Sequence, residues 1–269
     1  MSVWFITGTS SGIGAALAAQ VLADGNSVIG TFRSAAQATA FDGAAPGRSF
    51  GMVADVCDDD AVRAAVADGT AKAGAPEVVV NAAGYGLVGA VEEVDDAEML
   101  AQVDVNLFGA HRVIRAVLPA MRSARAGHVV NISSVAGLVG SPGLGAYDAS
   151  KAGLELLSEA LHTEVAPLGI HVTIVEPGNI RTQWAGRSMV FAKERIADYD
   201  ATAGVSRTFY PELSGKQVGE ASVVASTIRA AVASDDPPLR LVVGDDAHGW
   251  IKDKLDQEYS DLAHWQPSN

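Results

Sequence analysis

A single cysteine, Cys57, stands among 269 residues, so no disulfide can close within the chain and no cysteine-based zinc site can be assembled. The six histidines are scattered, with no pair four residues apart, which removes the helical His pair of many metal enzymes. Long hydrophobic runs are also missing. Although 48% of the residues are hydrophobic, no stretch approaches the roughly 20 residues of a membrane span. Basic residues are few: 19 Lys and Arg face 32 Asp and Glu, for a formal net charge of −13 and a pI near 4.8. Such a surface repels phosphate backbones and anionic lipid heads, so neither nucleic acid nor membrane is an expected partner. The start of the chain lacks a secretory pattern, because the short apolar run Val3–Thr7 passes at once into glycine and serine. These absences point to a cytoplasmic, metal-free chain forming one domain over residues 1–269.

What is present is an alternation. Short β-rich runs at Val3–Thr7, Ser27–Phe32, Ser49–Val53, Glu77–Asn81, His128–Ser133, His171–Glu176 and Leu239–Val243 alternate with alanine-rich helical patterns at 13–24, 58–74, 96–124, 146–166 and 219–233. Most of the strand runs are continuously apolar, as expected when helices cover both sheet faces. The βαβα order predicts an α/β fold with a doubly wound parallel sheet. One stretch breaks the rhythm. From Gln183 to Gly215, aromatic residues such as Trp184, Phe191, Phe209 and Tyr210 sit among polar ones without a strand pattern. A long excursion of this kind is usually functional, and a substrate lid is expected there. Arg187 and Arg207 within it leave room for an anionic group on an otherwise apolar substrate. The tail after His248 is expected to be a packing helix.

Directly after the first strand comes Gly8-Thr9-Ser10-Ser11-Gly12-Ile13-Gly14, at the start of a helix. Glycines here let the backbone turn tightly and approach a pyrophosphate, which the free N–H groups of a helix start then bind. Gly8, Ser10, Ser11, Gly12, Ile13 and Gly14 are therefore candidate cofactor residues. The same residues also fit the G-x-S-x-G elbow of serine hydrolases, with Ser10 as nucleophile and Asp245 or Asp246 with His248 or His264 as partners. That elbow needs earlier strands to build an oxyanion hole, and only seven residues precede Gly8. The dinucleotide reading is therefore preferred. A NAD site usually carries an acidic residue at the end of strand two, but here the chain reads Gly30-Thr31-Phe32-Arg33-Ser34. Arg33 offers a guanidinium fork for a 2′-phosphate, so NADP(H) is expected over NAD(H). Asp55 and the adjacent Val56, just past strand three, are placed to meet the adenine.

Tyr147-Asp148-Ala149-Ser150-Lys151 puts a phenol and an ammonium on one helical face. Phenol ionises near pH 10, whereas acid–base work favours a value nearer 7, and closing that gap takes about 4 kcal/mol of preferential phenolate stabilisation. Lys151, helped by an oxidised nicotinamide ring, is its expected source. Ser134, thirteen positions earlier at the end of strand His128–Ser133, can hydrogen-bond a substrate oxygen that Tyr147 also reaches. Ser133 beside it is expected to have a local role. Asn106 interrupts an apolar helical run, where a buried amide satisfies a backbone gap or binds water.

In order and spacing, Thr7-Gly8-x-x-x-Gly12-x-Gly14, Asn81-Ala82-Ala83-Gly84, Asn106, Ser134, Tyr147 with Lys151, and Pro177-Gly178-Asn179-Ile180-Arg181-Thr182 resemble the short-chain dehydrogenase/reductase family over residues 3–245. The resemblance implies a Rossmann-like sheet of about seven strands and hydride transfer between a nicotinamide dinucleotide and a ketone or aldehyde/alcohol pair. It implies that Tyr147 is the acid/base and that Lys151 holds the nicotinamide ribose and lowers the tyrosine pKa. Ser134 would orient the carbonyl, and Asn106 would hold the water of a proton relay. Asn81, Ala82 and Gly84 would line the cofactor, while Pro177, Gly178, Ile180 and Thr182 would meet its carboxamide end. A homotetramer or homodimer through the helices near 96–124 and 146–166 is also implied, with Ala149, Ala152, Gly153 and Ala160 allowing close packing. Two positions depart from the family pattern. Ala82 replaces a second asparagine, and Asp148 adds a charge next to Tyr147, although i+1 on a helix should point it elsewhere. A regulatory protein that binds NADP without catalysis is the alternative, but retention of the tyrosine, lysine, serine and asparagine together argues for an enzyme.

Overall fold

The computed structural model describes residues 1–264. Chain order is β1 (Val3–Ile6), α1 (Gly12–Ala23), β2 (Ser27–Phe32), α2 (Ala35–Asp42), β3 (Ser49–Val53), α3 (Asp59–Ala73), β4 (Val78–Asn81), β5 (Gly86–Val88), α4 (Asp96–Val103), α5 (Gly109–Ala124) and β6 (Gly127–Ile132). Then follow α6 (Gly145–Val165), β7 (Ile170–Pro177), β8 (Ile180–Arg181), β9 (Met189–Phe191), α7 (Ser206–Leu213), β10 (Gly219–Glu220), α8 (Ala221–Val232), β11 (Arg240–Val243) and α9 (Asp245–His264).

Seven strands form one parallel sheet in the order β11-β7-β6-β4-β1-β2-β3, confirming the doubly wound α/β architecture. The order reverses between β1 and β4, where a crevice opens beyond the carboxyl ends of the strands. Every residue of β1, β2 and β4 is buried, because helices cover both faces. On one face Val62 of α3, Val113 and Val117 of α5 and Leu161 of α6 pack against Phe5, Ile29 and Val79. On the other, Leu17 and Val21 of α1 and Val224 and Ile228 of α8 pack against Ile6, Val80 and Val130.

The expected strands and helices fall within two residues of the observed ones, with three differences. The run expected as one helix over 96–124 is α4 and α5 joined by a π turn at Asp104–Phe108. Helix α2 is not legible in the sequence, because Ala35–Asp42 has almost no apolar stripe and buries only Ala38. The stretch 183–215 is more regular than expected: it contains β9, which pairs in parallel with β5, and α7. Helix α9 covers the expected packing helix, and residues 265–269 lie outside the described part. Among the described residues, no helix is long and apolar enough to cross a membrane, and no group of three or more His, Cys, Asp or Glu is placed to hold a metal.

Candidate active site

The turn from β1 into α1 is built from backbone pressed on backbone. Gly8 adopts φ +69°, and a Cβ there would lie 2.8 Å from the Ala82 carbonyl at the end of β4. Thr7 locks the same junction, its Oγ1 accepting from the N–H groups of Ala82 and Ala83 at 3.0 and 3.1 Å. A Cβ on Gly14 would meet the Gly8 carbonyl oxygen at 2.6 Å, so α1 rests directly on the turn. Ser11 precedes α1 without a side-chain cap, which leaves first-turn N–H groups free for an anion. Gly8, Ser10, Ser11, Gly12 and Ile13 line a cleft of about 940 Å³, whereas Gly14, expected with them, lies outside the lining against the Gly8 carbonyl.

From this turn the cleft reaches Arg33, Asp55 and Val56 at one end. Arg33 is exposed and makes no ion pair or hydrogen bond with the described residues, whereas Asp55 accepts from Cys57 N–H at 3.0 Å. In the other direction it passes Ala82 and Gly84 to Ser134, Tyr147 and Lys151, then Pro177, Gly178, Ile180 and Thr182. A tight glycine turn, an uncapped helix start and a free guanidinium fit the diphosphate and phosphorylated-ribose chemistry of a dinucleotide.

Ser134, at the end of β6, caps the 3-10 turn Val135–Gly137 through a bond from Ala136 N–H at 3.2 Å. Its hydroxyl also interacts with the Tyr147 phenol. Lys151 Nζ donates to the Ile132 carbonyl at 2.8 Å and stands 5.8 Å from the centre of the Tyr147 ring. Burial brings the Lys151 ammonium down to about 8, opposed by the Glu155 carboxylate. The expected depression of the Tyr147 phenol is not observed in the protein alone. Burial pushes it well above its ordinary value, Ser134 opposes this, and Asp148 adds to it. Burial in this low-dielectric wall thus outweighs the Ser134 hydrogen bond. Asp148 is turned toward the preceding loop, accepting from Ser141 N–H at 2.8 Å, yet it still acts on the phenol despite its i+1 position.

Like Gly14, the expected site residues Asn81 and Asn106 lie outside the cleft lining. Asn81 donates to Asn131 Oδ1 at 2.8 Å, and Asn131 donates to Ser158 Oγ at 2.8 Å, which ties β4, β6 and α6 together. Asn106 lies in the π turn. Its Oδ1 accepts from Tyr85 N–H and its Nδ2 donates to the Tyr85 carbonyl, both at 3.1 Å, with a further bond to Ser150 Oγ at 3.0 Å. The amide therefore satisfies a backbone gap and fixes the loop before β5 that carries Tyr85 into the cleft.

Besides the β5–β9 pairing, an internal carboxylate ties the 183–215 stretch to the body. Glu93, 2% exposed, accepts from Ala90 N–H at 2.9 Å, Ile196 N–H at 2.8 Å and Arg207 at 2.9 Å. Burial alone would raise its carboxyl, but these donors outweigh burial and hold it below the ordinary range. Arg207 also donates to the Ala192 and Glu194 carbonyls, so it is not free for an anionic substrate as expected. Arg187, by contrast, lines the cleft. Trp184 packs on Tyr147 at 5.0 Å between ring centres, Tyr210 on Trp184 at 5.3 Å and Phe209 on Tyr210 at 5.2 Å. These rings form an apolar wall beside the phenol. Tyr85, Gln37, Gln217 and Trp250 also line the cleft, and no local pattern could have singled them out.

Among the described residues, Asp246 and His248 do not assemble the hydrolase constellation. Asp246 accepts from Asn179 N–H at 2.8 Å and clamps the turn after β7, while His248 is exposed on α9 and not bonded to Ser10.

Comparison with known proteins agrees with this geometry. A family model described as short chain dehydrogenase matches residues 2–190. An oxidoreductase of Botryotinia fuckeliana, BOA17, is 41% identical over 91% of this chain and 89% of its own length. A 3-ketodihydrosphingosine reductase of Bacteroides thetaiotaomicron is 35% identical over 89% of this chain and 86% of its own. The crystal structure of a short-chain dehydrogenase from Streptomyces avermitilis superposes with a TM-score of 0.91 at 38% identity, covering 98% of this chain and 97% of that one. The chain belongs to the short-chain dehydrogenase family of oxidoreductases, whose members work with nicotinamide cofactors.

Proposed function

We propose that the protein is an NADP(H)-dependent carbonyl reductase or alcohol dehydrogenase in which Tyr147 is the general acid/base. The observation that carries this reading is the convergence of Ser134, Tyr147 and Lys151 on one wall of the cleft that begins at the Gly8 turn. When bound, the dinucleotide supplies or accepts the hydride. Ser134 and Tyr147 hold the carbonyl oxygen between two hydroxyls, and the phenol gives its proton to that oxygen as negative charge develops on it. Lys151, fixed by the Ile132 carbonyl, keeps a positive charge behind the phenol. A phenol raised by burial holds its proton at neutral pH, as the acid of a carbonyl reduction requires. Asn106 contributes by fixing the Tyr85 backbone and Ser150.

Arg33 supports NADPH over NADH, because its unpaired guanidinium sits at the end of β2, where a 2′-phosphate requires a cation. Trp184, Phe209 and Tyr210 support an apolar ketone, in line with a relative named for reducing a keto compound. The reading includes a homodimer or homotetramer through α4, α5 and α6, supported by Leu100, Phe108 and Leu156, which are 67%, 48% and 66% exposed on or between those helices. A catalytically silent regulator is disfavoured by the same convergence of side chains. The test is oxidation of NADPH, then NADH, across apolar ketones with the wild type and Tyr147→Phe. NADPH-dependent turnover abolished in the variant supports the reading, and equal turnover by both proteins overturns it.

A further inference from the structure

Behind the catalytic wall lies a cluster of charges that the proposed reaction does not use. Glu155, 1% exposed, is one helical turn past Lys151 on α6. Its Oε1 accepts from Ser133 Oγ at 2.7 Å, and its Oε2 accepts from Arg240 at 2.9 Å. Arg240 of β11 also bonds Glu159 of α6 at 2.5 Å and Glu176 of β7. The carboxylate occupies space that Gly137 leaves vacant, since a Cβ on that glycine would fall 1.9 Å from Glu155 Oε1. Glu155 thus touches β6 next to Ser134, the turn that Ser134 caps, and β11.

We propose that Glu155 is a positioning residue that keeps Lys151 charged while bracing the strand end that presents Ser134. The proposal rests on the reading of Lys151 as part of a hydride-transfer site. Three carboxylates share one guanidinium, so the cluster carries net negative charge. It lies where a buried ammonium would otherwise lose its proton. The other groups facing Lys151 do not replace it. On α6 Tyr147 is a protonated phenol, and Asp148 is turned to Ser141. From β6 comes the Ile132 carbonyl. In the π turn Asn106 is neutral and Asp104 is paired with Arg112 at 2.7 Å. The turn Val135–Gly137 and strand β5 carry no ionisable side chain, and on α4, packed against α6, Glu98 is engaged by the Asp95 and Lys193 N–H groups. From β7 Glu176, raised by burial and by Glu155 to about 7, is only partly ionised at neutral pH.

The test reads Lys151 directly, without cofactor. In protein labelled at lysine Cε, the Lys151 resonance, assigned by its loss in Lys151→Met, is titrated in the wild type, Glu155→Gln and Glu159→Gln. Glu155→Gln is expected to lower the Lys151 midpoint by about one pH unit, and the half-exposed Glu159→Gln by less than about 0.3. Equal midpoints in all three proteins overturn the proposal. Should Glu155→Gln not fold, the reciprocal coupling is read in Lys151→Met, where carboxyl-labelled Glu155 and Glu176 should titrate as a pair about one unit higher than in the wild type. An unchanged pair overturns the proposal equally. With turnover established, Glu155→Gln should move the alkaline limb of kcat/KM downward by the same increment. Absence of turnover in the wild type would instead count against the hydride-transfer reading and leave the lysine titration to decide this one.

Discussion

The protein should lose stability in mild acid through one residue far from the cleft, His128 at the amino end of β6. Its ring is 4% exposed. It shares a 2.9 Å hydrogen bond with Thr173 Oγ1 and lies 5.6 Å from the ring of His171 on the neighbouring strand. Burial, then the His171 charge, lowers its pKa from an ordinary 6.5 to about 4. Between those two values the unfolded chain binds a proton that the folded chain refuses. This contribution is therefore complete above about pH 6.5 and is lost as pH falls toward 4. A difference of this size corresponds to roughly 3 kcal/mol, a large fraction of a typical 5–15 kcal/mol of net stability. Asp148 and Glu176, both raised to about 7, act in the opposite sense and gain stability on acidification. A wild-type pH profile alone would mix these effects. The comparison with His128→Gln, which keeps an amide for Thr173 and cannot charge, cancels the carboxylates. Urea unfolding at pH 7.5, 6.5, 5.5 and 4.5 should show the wild-type advantage over the variant shrinking by about 2–3 kcal/mol across the series. Parallel profiles would refute the reasoning, because they would mean that His128 charges as readily when folded as when unfolded.

Other expectations concern the cleft and its supports. Arg33→Ala should raise KM for NADPH roughly tenfold to a hundredfold and leave KM for NADH within about twofold, measured by initial rates with each cofactor. Gly8→Ala forces a side chain onto the Ala82 carbonyl in a left-handed conformation and should cost about 1–3 kcal/mol in urea unfolding, with weaker cofactor binding by calorimetry. Glu93→Ala leaves Arg207 and two backbone donors around an empty site, and should destabilise by about 3 kcal/mol. It should also raise sensitivity to proteolysis within 192–207. Cys57, whose thiol is pushed up to about 12 by burial and by Asp104 and Asp55, should react with iodoacetamide far more slowly at pH 8 than free cysteine.

Much of the fold and site is readable from the chain because the decisive features are local. The apolar runs of β1, β2 and β4 report burial on both faces, and the spacing Tyr147 to Lys151 reports one helical face. The glycine turn is legible because only residues without Cβ fit where Gly8 meets Ala82 and Gly14 meets Gly8. What escapes depends on partners distant in sequence. Arg207 reads as a free cation until Glu93, more than a hundred positions earlier, is seen to hold it. The aromatic wall is named by its residues, yet Trp184 reaches Tyr147 only because Gly86 leaves room for the indole, 2.7 Å from where a Cβ would stand. The phenol's ionisation differs from expectation for a similar reason. Spacing shows the charge beside a group, and the depth of burial shows only once the walls are in place.

The π turn at Asp104–Phe108 carries one residue more than a regular helix would need over the same rise. Each added residue turns the following side chains by about 100°, so the turn resets the phase of everything after it. Past the turn, helix α5 sends Val113, Ile114 and Val117 into the core. The same extra residue aims Asn106 at the Tyr85 backbone. A one-residue deletion here would close the ladder into ordinary helix and undo both arrangements together. The placement of the amide and the seating of α5 thus depend on one and the same turn.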